Sequence, residues 1–281
     1  MREPRRGFAA VNGINLAYRF WPGPGQPHPA VVLLHGGLQT GEGMRHLAES
    51  LALDRAVLVP DLRGRGESER PADGYDPGTM ADDVAALIRH LELERPVVIG
   101  RLHGGLVAYH LAARFPELLR GVVLGNANPE VSGEHAARRV ETVALLPRQF
   151  GSETEAMVFY EQGLGLSPER ARHDIPIDLE MSADGSLHWR YDLDVVARIE
   201  AAAMPRADWE VLAKVRVPAL ILRGQRGEIG QTTIDRMLAV MPKARAQTIH
   251  GAGFDVFLGP GSEQTAAAIQ LFLRGIGDES A

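Results

Sequence analysis

The chain has 281 residues, 45% apolar and 23% charged, enough to bury one large α/β core, alone or with an insertion. A formal net charge of −6 argues against nucleic acid and anionic membrane surfaces as partners, since both need a basic face. The absence of cysteine excludes disulfides, thiolate catalysis and cysteine-based metal sites.

The N-terminal Met1–Phe8 is basic but leads into no continuous apolar segment, so no secretory signal is expected. No run approaches the ~18 apolar residues of a membrane span. The expectation is a cytoplasmic chain. Phe8–Val11 and Ile14–Trp21 flank Asn12-Gly13, a strong hairpin signal because both turn residues tolerate positive φ. Pro22–Pro29 reads as a loop. Ala30–Leu34 is a continuous apolar run, as expected of a strand buried on both faces. It ends in His35-Gly36-Gly37. Gly43–Leu53 has helical spacing, and Arg55–Val59 is the next strand. Thr79–Leu91 is helical, with Asp82-Asp83 expected in its first turn, where the dipole favours acids.

Pro96–Val107 combines a short buried strand, a glycine-flanked turn and a helix starting near His103. This is the layout of a nucleophile elbow, in which a strained strand-to-helix turn holds a nucleophile over the end of a sheet. Gly100, Gly104 and Gly105 supply the glycines, but the nucleophile's position holds Leu102. A helix then runs to Phe115, stopped by Pro116, and Gly121–Leu124 is another buried strand. Strands alternating with helices imply a parallel sheet covered on both faces. The rhythm breaks at Asn126. About ninety residues follow with helical signals and no buried strand. Ser152-Glu-Thr-Glu155 is a capping box, Ser167-Pro168 a cap with first-turn proline, and Asp192 and Asp208 are further expected N-caps. Strands resume at Val217–Leu222 and Ala246–Ile249, and a helix near Glu263–Leu273 closes the chain.

Six motifs in register make the chain similar to the α/β-hydrolase superfamily over most of its length. They are His35-Gly36-Gly37, the Asp61–Ser68 turn, the elbow, the helical insertion, Arg223–Gly227 and Gly251–Phe254. The resemblance implies an eight-stranded, mostly parallel sheet flanked by helices. It divides the chain into a core at 1–128 and 212–281 and an inserted helical lid at 129–211. It also implies a pocket between lid and strand ends. The family's nucleophile, acid and histidine fall on Leu102, Gly227 and Phe254. None of these can perform the triad's chemistry.

Several site residues follow from the resemblance. The oxyanion donors fall on the N–H groups of His103 and Gly37, which do not depend on the lost side chains. The His103 ring is the expected catalytic group, as acid, base or donor. A displaced pair of His103 with Asp255 or Glu228 is a further arrangement. Arg101 suits a substrate carboxylate or phenolate, or a structural ion pair. His35 belongs with the oxyanion loop as support, and Leu102 and Phe254 make an apolar pocket floor. Asn126, Asn128 and Glu130 stand where some relatives keep another acid. Phe159, Tyr160, His173, His188, Trp189 and Tyr191 are the lid's candidates for lining the pocket.

No metal ligand spacing, P-loop or dinucleotide fingerprint occurs, so no metal and no cofactor are expected. The expected partner is a small-molecule ligand or substrate. Oligomeric state is not legible. Three functions remain, in this order: a non-hydrolytic enzyme of cyclase, lyase or isomerase type on a small apolar oxygenated metabolite; a catalytically inactive ligand- or partner-binding protein; and a hydrolase with a rewired site.

Overall fold

The computed structural model describes residues 3–24, 28–202, 206–259 and 261–277. The expected Pro22–Pro29 loop lies partly outside the described residues, at 25–27, as do Met1 and Arg2 of the basic N-terminal stretch. Strands β1 (Arg5–Val11) and β2 (Ile14–Trp21) form the expected hairpin, with Asn12 and Gly13 both at positive φ. Next come β3 (Val31–Leu34), α1 (Arg45–Leu51), β4 (Val57–Pro60), α2 (Pro77–His90), β5 (Val97–Arg101), α3 (His103–Arg114) and β6 (Gly121–Gly125). The segment after β6 holds β7 (Glu130–Val131), α4 (Gly133–Ala144), β8 (Gln149–Phe150), α5 (Glu153–Val158), α6 (Pro168–Asp178), β9 (Leu179–Met181), β10 (Leu187–Trp189), α7 (Leu193–Ala202), β11 (Arg206–Ala207) and α8 (Trp209–Leu212). The chain then returns through β12 (Ala219–Gly224), α9 (Gln231–Val240), β13 (Ala244–Ile249) and α10 (Ser262–Gly277).

Eight strands make one sheet in the order β1-β2-β4-β3-β5-β6-β12-β13. β2 runs antiparallel to β1 and β4, and every other neighbouring pair is parallel. The apolar runs explain the burial. Side chains alternate across a strand, so Val32, Leu34, Val98 and Val122 face one core with α2 and α3. Val31, Leu33, Val97 and Val123 face a second core with α1 and α10. Among the described residues no helix is long and apolar enough to cross a membrane.

Three expectations change. α2 starts at Pro77 behind an Asp76 cap, so Asp82 and Asp83 lie beyond its first turn. Asp83 is instead buried in a forked pair with Arg63, at 2.5 and 2.6 Å. The region after β6 also contains short strands: β8-β10-β9 form a small sheet and β7 pairs with β11. Strands of two or three residues are too short to show a period of two in sequence. Finally, Asp208 precedes α8 without capping it, because its carboxylate accepts from the Tyr109 hydroxyl. The caps at Ser152, Ser167 and Asp192 form as expected.

Candidate functional site

The site sits where the parallel strands end. Leu102 joins β5 to α3 with φ 51° and ψ −113°, a conformation strained for leucine. Its N–H donates to Gly125 O at 2.8 Å, tying the turn to β6. The turn needs its glycines: a Cβ on Gly104 would overlap the Leu34 carbonyl, and one on Gly100 would overlap Gly104. The Leu102 side chain lies against Gly36, with Cδ1 3.5 Å from where a Gly36 Cβ would stand. Leu102 has no capping oxygen. His103 is the first residue of α3, so its N–H has no acceptor within the helix.

The His35-Gly36-Gly37 loop is held from below. His35 is buried; Leu62 N–H donates to its Nε2 at 3.0 Å, so Nδ1 carries the proton and donates to Gly36 O at 2.9 Å. Burial drives its pKa down to about 3, with Arg65 and Arg101 adding to the effect against the Gly36 bond. His35 lines neither cavity described below. Arg65 Nε donates to Gly37 O at 2.8 Å. Gly37 and His103 are neighbours: the His103 Cβ is 3.8 Å from a Cβ built on Gly37.

Two cavities share Leu102, Arg139, Glu200 and Phe254 in their walls. The larger is about 510 Å³, within the range of small-molecule sites. Gly36, Gly37, Arg101 and Asp255 line it from the core; Tyr160, Asp178, Trp189 and Tyr191 line it from the inserted segment. Trp189 stacks on both tyrosines, with centroids 6.2 and 5.5 Å away. The smaller cavity, about 30 Å³, is bordered by His103, Asn126, Asn128 and Glu228. That is room for a water or two, with polar partners to hold them.

The His103 ring turns away from the larger cavity and meets Met80 Sδ at 3.3 Å. Burial, with Arg65 and Arg206 nearby, holds its pKa well below 6.5, so the imidazole is neutral at physiological pH. Neither displaced pair assembles. Asp255 pairs with Arg101 and lies 3.6 Å from Arg170, while Glu228 is exposed and 3.8 Å from His135. Arg101 thus makes the ion pair and also lines the larger cavity. Phe254 is half-exposed and borders both cavities. Gly227 is crowded: a Cβ there would lie 3.0 Å from Gly253 O and 3.2 Å from Gly224 O. Asn126 stitches these loops together, accepting from Gly224 N at 3.0 Å and donating to the carbonyls of Gly253 and Phe254. Of the six aromatic and histidine candidates after β6, Tyr160, Trp189 and Tyr191 line the cavity; Phe159, His173 and His188 do not.

Two acids were not anticipated. Glu200, on α7, is 3% exposed and pairs with Arg139 at 3.2 Å. Its Oε1 lies 2.7 Å from a Cβ built on Gly37, directly beside the loop after β3. The signal was available: Glu200 stands four residues after Val196 on the buried stripe of α7. Asp178 ends α6 and accepts from the Tyr160 hydroxyl at 3.1 Å. Burial, reinforced by Asp174, pushes its pKa up to about 7 against the opposing pull of that hydrogen bond, Arg101 and Arg170.

The sheet order, the elbow and the glycine-shaped loop after β3 define an α/β-hydrolase fold. The profile of the alpha/beta hydrolase fold family matches residues 29–227, and the chain belongs to that family. A soluble epoxide hydrolase from Corynebacterium sp. (strain C12) is 42% identical over 104 residues, covering 37% of this chain and 35% of that protein. A 3-hydroxybutyrate-oligomer hydrolase from Cupriavidus necator is 28% identical over 249 residues, covering 81% and 83%. Among solved structures, an alpha/beta hydrolase from Novosphingobium aromaticivorans superposes with a TM-score of 0.83 at 27% identity, covering 98% and 99%. An E-2-(acetamidomethylene)succinate hydrolase shares the fold with a TM-score of 0.86 at 21% identity, covering 96% and 99%.

Proposed function

We propose that this chain is a hydrolase of small oxygenated molecules in which water, not a side chain, is the nucleophile. The triad positions hold Leu102, Gly227 and Phe254, so no covalent serine-type intermediate is available. The observation that carries the reading is the Glu200 carboxylate, bordering both cavities beside Gly37. Water from the small cavity gives a proton to Glu200 as its oxygen bonds to the substrate carbonyl carbon. The carbonyl electron pair moves onto oxygen, which the N–H groups of Gly37 and His103 receive. Taking the proton discharges Glu200 as the oxyanion forms, so two negative charges never share the loop, and Arg139 remains to balance the new one. The intermediate then expels the leaving group, which takes the proton back from Glu200. The neutral His103 ring moves no proton in this scheme; only its backbone N–H acts. The segment from β7 to α8 serves as a lid that keeps bulk water out.

Hydrolase names among the relatives favour this reading over a cyclase, lyase or isomerase. The experiment uses a panel of small esters, amides and epoxides, with a fluorophosphonate probe beside it. Turnover without fluorophosphonate labelling, lost in Glu200→Gln at unchanged thermal stability, is the expected result. Full turnover in Glu200→Gln refutes the scheme.

A second reading is non-hydrolytic: an enzyme that folds or polarises its ligand, or a protein that only binds it. The Leu102 side chain lying against Gly36 favours it, since that chain occupies the approach to the oxyanion loop. Saturable binding with ligand mass unchanged supports pure binding. An isomerised or eliminated product supports the enzyme.

A further inference from the structure

We infer that the larger cavity takes a small apolar carboxylate that also carries a hydrogen-bond donor, with the carboxylate on Arg101 and the donor shared by Asp178 and Gln39. The inference rests on the reading of this cavity as the substrate site and adds the substrate's class.

Four buried side-chain atoms without a hydrogen-bond partner belong to residues lining this one cavity: Arg101 Nε and Nη1, Asp178 Oδ1 and Gln39 Oε1. Each of these atoms is closed off from solvent as the cavity stands and is costly to leave unsatisfied, so a ligand that draws these side chains towards it would supply the missing partner. Their chemistry describes that partner. Arg101, 4% exposed, spends Nη2 on Asp255 and keeps two nitrogens for an acceptor. Asp178 spends Oδ2 on Tyr160 and keeps Oδ1 for a donor. Gln39 sits beside Gly36, its Oε1 3.3 Å from a Cβ built there. The partner therefore presents an anion on one side and an O–H or N–H on the other.

Charge agrees with this. The wall carries Arg101, Arg139, Arg170 and Arg226 against Asp174, Asp178, Glu200 and Asp255. Burial keeps Asp178 partly protonated at neutral pH, so the arginines are in slight excess. An anion restores the balance. Leu102, Leu146, Leu164, Leu166, Phe254 and Leu258 supply the apolar surface for the rest of the molecule.

Calorimetric titration of the full chain with 3-phenyllactate, its methyl ester and 3-phenylpropionate tests the inference. The hydroxy acid is expected to bind, the ester about tenfold or more weakly, and phenylpropionate, which lacks the hydroxyl, several-fold more weakly. Arg101→Met should erase the preference for acid over ester. Gln39→Leu, outside the elbow, should erase only the preference for the hydroxyl and so covers the case in which Arg101→Met fails to fold. Binding of the hydroxy acid by the wild-type chain, with no turnover of any ester, amide or epoxide in the panel, would sink the hydrolase reading and leave this one standing. Turnover of substrates with no preference for the carboxylate would do the reverse. Equal affinity of the wild-type chain for acid and ester, or no binding of any of the three at millimolar concentration, overturns the inference.

Discussion

The Glu200 carboxylate closes over Gly37, with Oε1 2.7 Å from the point where a Cβ on Gly37 would stand. A methyl group there meets the movable end of a side chain, not backbone. Gly37 is not among the described glycines with positive φ, so alanine fits its backbone. Gly37→Ala is therefore expected to fold normally but to push Glu200 aside. Turnover should fall about 100-fold, the scale of a mispositioned general base, while the melting temperature stays within a few degrees. A change in stability with turnover untouched would argue against the role given to Glu200.

Leu102 stands at the elbow, and Phe254 borders the same two cavities. Leu102→Ser alone puts a hydroxyl on the turn with no imidazole to take its proton. Fluorophosphonate labelling is expected to stay at background. The double variant Leu102→Ser with Phe254→His supplies that base and should label slowly, because Gly227 still offers no acid to orient the ring. Intact-mass spectrometry reads both outcomes. Rapid labelling of the single variant would mean that another base already faces the elbow.

Asp178 makes stability depend on pH. Its pKa is about 7 in the folded chain against an ordinary value of 3.8. The folded state therefore binds more protons than the unfolded state between those values, and stability falls as pH rises from about 4 to 7. At about 1.4 kcal/mol per pKa unit, the loss is at most about 4 kcal/mol. Asp178→Asn keeps an acceptor for the Tyr160 hydroxyl and removes the charge. It should be more stable than wild type at pH 8 and nearly equal at pH 4. Urea unfolding at both pH values measures this, and a variant no more stable at pH 8 would contradict it.

The core was legible in sequence for a physical reason. Strands buried on both faces must be apolar throughout, so β3, β5 and β6 stood out as continuous runs. The elbow was legible because close backbone approach leaves room only for glycine at 100 and 104. The acids that line the cavity were less so. Asp178 ends a polar helix, where an acid reads as a solvated face until tertiary packing buries it, and Glu200 was marked only by its place four residues after Val196 on the apolar stripe of α7. His103 was legible as a position but not as a state. Only the contact with Met80 and the surrounding arginines reveal that its ring is neutral and faces away from the larger cavity.

Asn126 gives the last prediction. It holds φ 47°, which asparagine tolerates better than alanine. Its amide joins β6 to Gly224, Gly253 and Phe254, so three loop ends depend on one side chain. Asn126→Ala strains the backbone and leaves a buried N–H and two carbonyls short of partners. The expected loss is about 2–4 kcal/mol, read from the urea midpoint. Asn126→Gly relieves the backbone but not the missing bonds, so it should recover about 1 kcal/mol of that loss. If alanine and glycine cost the same, the backbone conformation carries no strain and the hydrogen bonds alone account for asparagine. If neither costs anything, the loops bearing Gly227 and Phe254 are held by other contacts.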